Sequence, residues 1–359
     1  MTSAVTSATP LGAEMVRPAG LRAGATAVAV ACLLAAALAG VLIGPVSLPP
    51  GAVGRELLDA LPFVDLSSGL SPAESAILWE LRLPRVALGG VVGAVLALSG
   101  AAYQGVFRNP LADPYLLGVA AGAGLGVTVA VAYGPNLAAS PIDVRPVAAF
   151  VGALLAVAAT YALGRSGGRT RTAATLILAG VAMASFLTAL QTFVQQQEAE
   201  TLRQVYTWIL GTLGTAGWDQ VLLVLPYAVA AVAAILVHRR HLDVLSVGDE
   251  EADSLGVRST RVRLFVVAAA SMGTAAAVAV SGLIGFVGII VPHTIRLAAG
   301  SSYRLVLPLS VGFGAAFLIL SDLLGRTVVA PAEIPIGVVT AFFGAPFFLV
   351  ILRRSRRLG

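Results

Sequence analysis

The sequence predicts an all-α, polytopic membrane protein with about ten transmembrane helices. Hydrophobic residues make up 58% of its 359 residues and charged residues only 11%, too few to cover a water-facing surface. Ten apolar runs carry no ionisable side chain away from their ends, most of them near the roughly 20 residues that a helix needs to cross a bilayer. All 23 basic residues are arginine, gathered at the ends of those runs.

Taken in order, residues 1–23 read as a tail, with Arg17 and Arg22 preceding a first run at roughly 24–46. That run exceeds the apolar core of a signal peptide, about 7–15 residues, and reads as a retained helix. Residues 47–85 are the longest stretch outside the membrane and open with Pro49-Pro50-Gly51. Within them Ser71-Pro72-Ala73-Glu74 places a serine N-cap before a first-turn proline, with glutamate three after the cap. This predicts a short outer helix from about 72 to 82, stopped by Pro84. The second and third runs, 86–107 and 115–133, carry Gly89 with Gly93, and Gly118, Gly122 and Gly126, at the spacing of close helix packing. The fourth to sixth runs, 146–164, 173–196 and 219–237, lead to the longest inner connection, 238–263. Its centre has Asp249, Glu250 and Glu251 where a helix would start and Gly256 where it would end. The last four runs are 264–283, 284–295, 305–321 and 335–352, with the boundary between the first two of these the least sharp.

An even number of spans puts both termini on one side. With the N-terminus inside, 17 arginines lie inside and 6 outside, the positive-inside pattern. Trp79, Trp208 and Trp218 then fall near the outer interface, where an indole is comfortable. A faint internal echo supports an inverted repeat: Ala97-Leu98-Ser99-Gly100 and Pro110 return as Ala279-Val280-Ser281-Gly282 and Pro292, in opposite directions across the bilayer.

The chemistry available is limited. No lysine occurs, which excludes a P-loop of the G-x-x-x-x-G-K type. Cys32 is the only cysteine and lies in an apolar run, so neither a disulfide nor a cysteine metal site forms within one chain. His238 and His241 read as solvated loop histidines rather than metal ligands, and no metal site is expected. The absence of ionisable residues from the span interiors argues against an ion-coupled secondary transporter, the reading from another class. The pI near 9.9 reflects orientation in the membrane, and no nucleic-acid partner is expected.

Four stretches carry a resemblance: LRLPRVALGGVVGAVLALSGAAYQGVFRNPLADPYLLGVAAGAG (81–124), VGDEEADSLGV (247–257), SGLIGFVGIIVPHTIRL (281–297) and SDLLGRTVVAPAEIPIGVVTAFFGAPFFLVILRR (321–354). They closely resemble permease subunits of ABC importers for iron-siderophores, haem and cobalamin, the FecCD family. The resemblance covers the chain from residue 24 onward and implies one permease domain over 1–359, not an enzyme, in the cell membrane with both termini cytoplasmic.

It further implies a translocation path formed by a homodimer, with membrane lipid around it, two ATP-binding subunits below and an extracytoplasmic substrate-binding protein above. The cargo implied is an iron chelate, most directly an iron(III)-siderophore, with haem and cobalamin as alternatives. ATP and Mg²⁺ would be held by the ATPase, leaving no cofactor in this chain. In family terms Gly248, Asp249, Glu250, Glu251, Ala252, Leu255 and Gly256 belong to a cytoplasmic helix that docks on the ATPase. Arg82, Arg85 and Arg326 match positions that offer arginines to carboxylates of the binding protein. Thr172 and Ala173 stand at the inner gate, where relatives have a pair of small hydroxyl residues.

Overall fold

Backbone polar groups in hydrocarbon must pair within their own segment, and helices are the only regular structure among the described residues. The computed structural model of the protein describes residues 23–62, 64, 66–134, 143–166, 173–198 and 201–355. In chain order the elements are α1 (Ala23–Leu42), α2 (Pro50–Asp59), α3 (Pro72–Ala76), a π-helical segment (Ile77–Arg82), α4 (Leu83–Phe107), α5 (Val119–Tyr133), α6 (Val144–Ser166), α7 (Ala173–Gln197), α8 (Thr201–Ile209), α9 (Trp218–Val237), α10 (Arg239–Leu245), α11 (Asp249–Ser254), α12 (Ser259–Ser281), α13 (Val287–Ala299), α14 (Tyr303–Thr327) and α15 (Ile336–Ser355). Seven continuous helices are long and apolar enough to cross a bilayer, and α5, α13 and α15 supply shorter apolar stretches. Together they match the ten apolar runs of the sequence.

The outer region departs from expectation. The capping box is present: Ser71 Oγ accepts the Glu74 N–H at 3.3 Å, and the Glu74 carboxylate accepts the Ser71 N–H at 2.8 Å. The helix it opens does not stop at Pro84, because α3, the π segment and α4 run on as one rod from Pro72 to Phe107. A proline inside a helix lacks an N–H and crowds the preceding turn. Here the wider π turn just before it takes up the strain, and the Leu83 N–H reaches back five residues to the Leu78 carbonyl. The same outer stretch contains α2, which the sequence reading did not separate. The Glu56 carboxylate of α2 accepts Ser75 Oγ at 2.6 Å and Trp79 Nε1 at 3.2 Å, and Trp218 Nε1 donates to the Trp79 carbonyl at 2.8 Å. Two of the three tryptophans therefore meet at the outer end.

Helices α4, α12 and α14 form the buried centre, whereas α7 is nearly bare. Small residues allow this packing. A Cβ on Gly93 would lie 2.3 Å from the Gly314 carbonyl oxygen, and one on Gly122 would lie 2.3 Å from that of Gly152. The G-x-x-x-G spacing on α5 therefore serves contact with α6, except that Gly118 is the N-cap of α5, at φ 81°.

Two helices are about two-thirds of the span length. α5 and α13 have 15 and 13 residues, about 22 and 20 Å of helix against about 30 Å of hydrocarbon. Each follows a connection that turns back into the bundle. Tyr115, after α4, donates its hydroxyl to the Ile284 carbonyl at 3.0 Å and accepts the Ile284 N–H at 3.1 Å, so the connection after α4 meets the one after α12. Gln104 Nε2 donates to the Gly288 carbonyl at 2.9 Å and the Ala112 carbonyl at 3.3 Å. Irregular backbone is tolerable there because protein groups satisfy it. The sequence echo is out of structural register: Gly100 lies inside α4, but Gly282 ends α12, and Pro110 is in a connection while Pro292 is inside α13.

Candidate functional site

The site expected to face the cytoplasm is built on the 238–263 connection. Gly248 precedes α11, whose first turn is Asp249, Glu250 and Glu251. The helix ends in a left-handed turn at Gly256, φ 80°. The Gly256 N–H donates to the Asp253 carbonyl and the Val257 N–H to the Ala252 carbonyl, both at 3.0 Å, the pair of bonds that closes a glycine-ended helix. Ala252 is fully buried and seats the helix, while Glu250, Glu251 and Leu255 are exposed, Leu255 at 70%. Asp249 is half-exposed but tied to the protein: Arg263 Nη2 donates to it at 2.7 Å and Arg108 lies at 3.8 Å. What remains outward is an acidic pair beside an apolar knob, a surface suited to a partner carrying basic and apolar groups.

At the outer end the three arginines expected to face a partner are turned inward. Arg82 and Arg326 are each 4% exposed. Arg82 donates to the carbonyls of Val41 (2.8 Å), Leu42 (3.0 Å) and Val46, and Arg326 donates to that of Gly40. These are the carbonyls left unpaired where α1 ends, and α1 has no basic residue of its own in its last turn. Arg85 forks across two carboxylates, Asp322 at 2.8 Å and Glu333 at 2.8 Å, with Arg326 3.7 Å from Asp322. The Arg85 guanidinium holds the Glu333 carboxyl below the ordinary glutamate value. These charges lie just beyond the apolar runs 86–107 and 305–321, because α4 and α14 extend past those runs to include Arg85, Asp322 and Arg326. Of the other arginines at this end, Arg145 and Arg203 line an open cavity of about 360 Å³ with Asp143, Trp208 and Gln220.

The exposed faces of α7 and α15 are apolar. Phe186 and Phe193 on α7 and Phe342 and Leu349 on α15 are all exposed. Between α8, α13 and α15 lies an open apolar cavity of about 570 Å³, lined by Ile209, Leu283, Phe286 and Phe342 among others. Thr172 lies outside the described residues, and Ala173 is the first residue of α7. His238 Nδ1 lies 2.9 Å from the Ala234 carbonyl and its ring packs on Phe265, so it is a packed residue rather than a solvated one.

Comparison with known proteins agrees with this architecture. The cobalamin import system permease protein BtuC of Halobacterium salinarum is 43% identical over 288 residues, covering 80% of this chain and 76% of that one. The hemin transport system permease protein HmuU of Yersinia pestis is 42% identical over 287 residues, covering 77% and 83%. A solved inward-facing structure, described as of a metal-chelate type ABC transporter, superposes with a TM-score of 0.77 at 29% identity, covering 92% of this chain and 98% of that one. The profile of the FecCD transport family matches residues 32–354. On the breadth of that match and the shared permease fold, the chain belongs to the FecCD transport family.

Proposed function

We propose that this chain is the membrane-spanning subunit of an ATP-driven importer of an iron(III)-siderophore, acting as a homodimer in the cell membrane with both termini cytoplasmic. The observation that carries the ATP-driven reading is α11: a short acidic helix, seated by Ala252 and stopped at Gly256, that presents Glu250, Glu251 and Leu255 on the side where arginines predominate. Two ATP-binding subunits would dock there and supply ATP and Mg²⁺. The chain itself would provide passage between two copies, with the apolar faces of α7 and α15 turned toward each other.

A substrate-binding protein would sit on the outer face. Engaging Arg82, Arg85 and Arg326 there would require them to exchange internal acceptors for carboxylates of the partner, and Arg145, though half-exposed, is already paired with Asp143 at 2.7 Å, whereas Arg203 is exposed where it lines the cavity. Haem or cobalamin is the second reading of the cargo, favoured by the names of the two relatives above.

The test is reconstitution with candidate ATPases and binding proteins in vesicles, measuring uptake of iron-loaded siderophore, haem and cobalamin. Uptake of the ferric chelate that needs ATP supports the proposal. Uptake driven by an ion gradient without ATP would refute it, and ATP-dependent uptake of haem or cobalamin alone would select the second cargo.

A further inference from the structure

Helices α12 and α14 begin on the inner side without a side-chain cap of their own. In both, the first helical N–H is bound by an aspartate from the 239–257 segment. Asp253 Oδ1 accepts the Ser259 N–H at 3.0 Å, six residues away. Asp243 Oδ1 accepts the Tyr303 N–H at 2.5 Å, sixty residues away, while its Oδ2 accepts the Ser302 hydroxyl at 2.9 Å. Arg304 stands 3.3 Å from the same carboxylate. A carboxylate on the first turn of a helix meets both unpaired N–H groups and the positive end of the dipole. Asp243 gives α14 this cap from a separate element.

The position of that cap matters more than its strength. Asp243 is on α10, which leads directly into α11, and α11 is itself fixed to α12 through Asp249 and Arg263. The segment is thus held at two places, to α12 by Asp249 and Asp253 and to α14 by Asp243. α14 then runs 25 residues, about 37 Å, to the outer network of Asp322 and Arg326. A packed helix moves as a rigid piece, so a displacement at its inner end is carried toward its outer end. Ser302 occupies the N-cap position but gives its hydroxyl to Asp243 instead of capping α14. An aspartate at position 302 would cap α14 equally well for stability, but would leave it unconnected to α10.

We infer that Asp243 is a positioning residue for transport, tethering α14 to the segment on which the ATPase acts, so that movement of that segment is passed to α14. The inference rests on the reading that α11 docks on an ATPase.

The experiment separates tethering from capping in the complete transporter, with ATPase and binding protein, in nanodiscs and vesicles. All variants carry Cys32→Ala and Ser254→Cys, the latter an exposed α11 position beside the docking face that reports contact with the ATPase by cross-linking. Asp243→Asn removes the charge, and Asp243→Ser with Ser302→Asp moves the cap onto α14 itself while severing the link to α10. In the double variant the thermal midpoint should return to that of the parent and the cross-link to the ATPase should persist. Cargo imported per ATP hydrolysed should fall by about tenfold, the scale of one lost charge-assisted contact. A double variant that imports with the parent's cargo-to-ATP ratio would overturn the inference and leave Asp243 as a cap alone. Loss of the cross-link in the parent would instead refute docking by α11, a different failure. Should Asp243→Asn not assemble, the double variant still decides.

Discussion

The guanidinium of Arg326, near the end of α14, donates to the carbonyl oxygen of Gly40 in the last turn of α1, across 286 positions of sequence. With Arg82 on the neighbouring carbonyls of Val41 and Leu42, it closes a helix end that carries no cationic side chain of its own. Charges that look like outward-facing anchors in the sequence are thereby structural caps in this conformation. Gly44 makes room for one of them, since a Cβ there would lie 2.9 Å from Arg82 Nη2.

Replacing Arg82 or Arg326 by leucine should destabilise the isolated protein in detergent by about 1–3 kcal/mol each, because buried carbonyls lose charged donors. The effect should be nearly independent of salt, since the pairs are shielded from solvent. If Arg82→Glu with Arg326→Glu weakened only binding-protein docking, more at low salt than at high salt, with thermal stability unchanged, capping would be the wrong account.

Glu250→Arg with Glu251→Arg inverts the charge of the exposed face of α11 while leaving Ala252 and Asp249 in place. ATP-dependent uptake should be lost although the helical content and thermal midpoint of the purified chain stay those of the parent. Normal uptake by this variant would remove α11 from the coupling mechanism.

Glu333 lies outside the membrane helices, and Arg85 lowers its pKa chiefly by a hydrogen bond. Its ionised form therefore stabilises the fold at neutral pH. That contribution should disappear as pH falls from the unfolded glutamate value, about 4.3, through the lower folded value. The stability gap between the parent and Glu333→Gln should close across that window. A gap that persists unchanged in acid would mean that Glu333 acts by shape alone.

Gly100 presses on α13: a Cβ there would lie 2.1 Å from the Gly288 carbonyl oxygen. Gly100→Ala should cost about 1–3 kcal/mol by overpacking. Gly54, on α2, has nothing within 4 Å of its Cβ position, so Gly54→Ala should be neutral or stabilising by up to about 1 kcal/mol. Thermal denaturation of the two variants side by side checks the contrast, and equal effects would contradict it.

Single cysteines along 335–350, in a Cys32→Ala background, should cross-link between two copies if α15 faces its counterpart. Complete absence of such cross-links on both α7 and α15, in a protein still competent for uptake, would refute the homodimer arrangement.

The sequence alone determined where the membrane helices run, because a span is a property of about 20 consecutive side chains and leaves its mark in composition. It also determined the start of α3 at Ser71 and the end of α11 at Gly256, since capping is a matter of residues three or four apart. The continuation of α3 into α4 was not legible, because a proline reads as a stop until a π turn is seen to absorb it. Nor was the late start of α5 at Val119, which depends on the connections after α4 and α12 meeting through Tyr115 and Ile284, although the short run 284–295 already marked α13 as short. Only the tertiary structure decided which way the arginines face. A guanidinium at a helix end can meet water, a partner or the carbonyls of another helix, and the choice for Arg82 and Arg326 was fixed by α1 ending beside them with its own carbonyls unpaired.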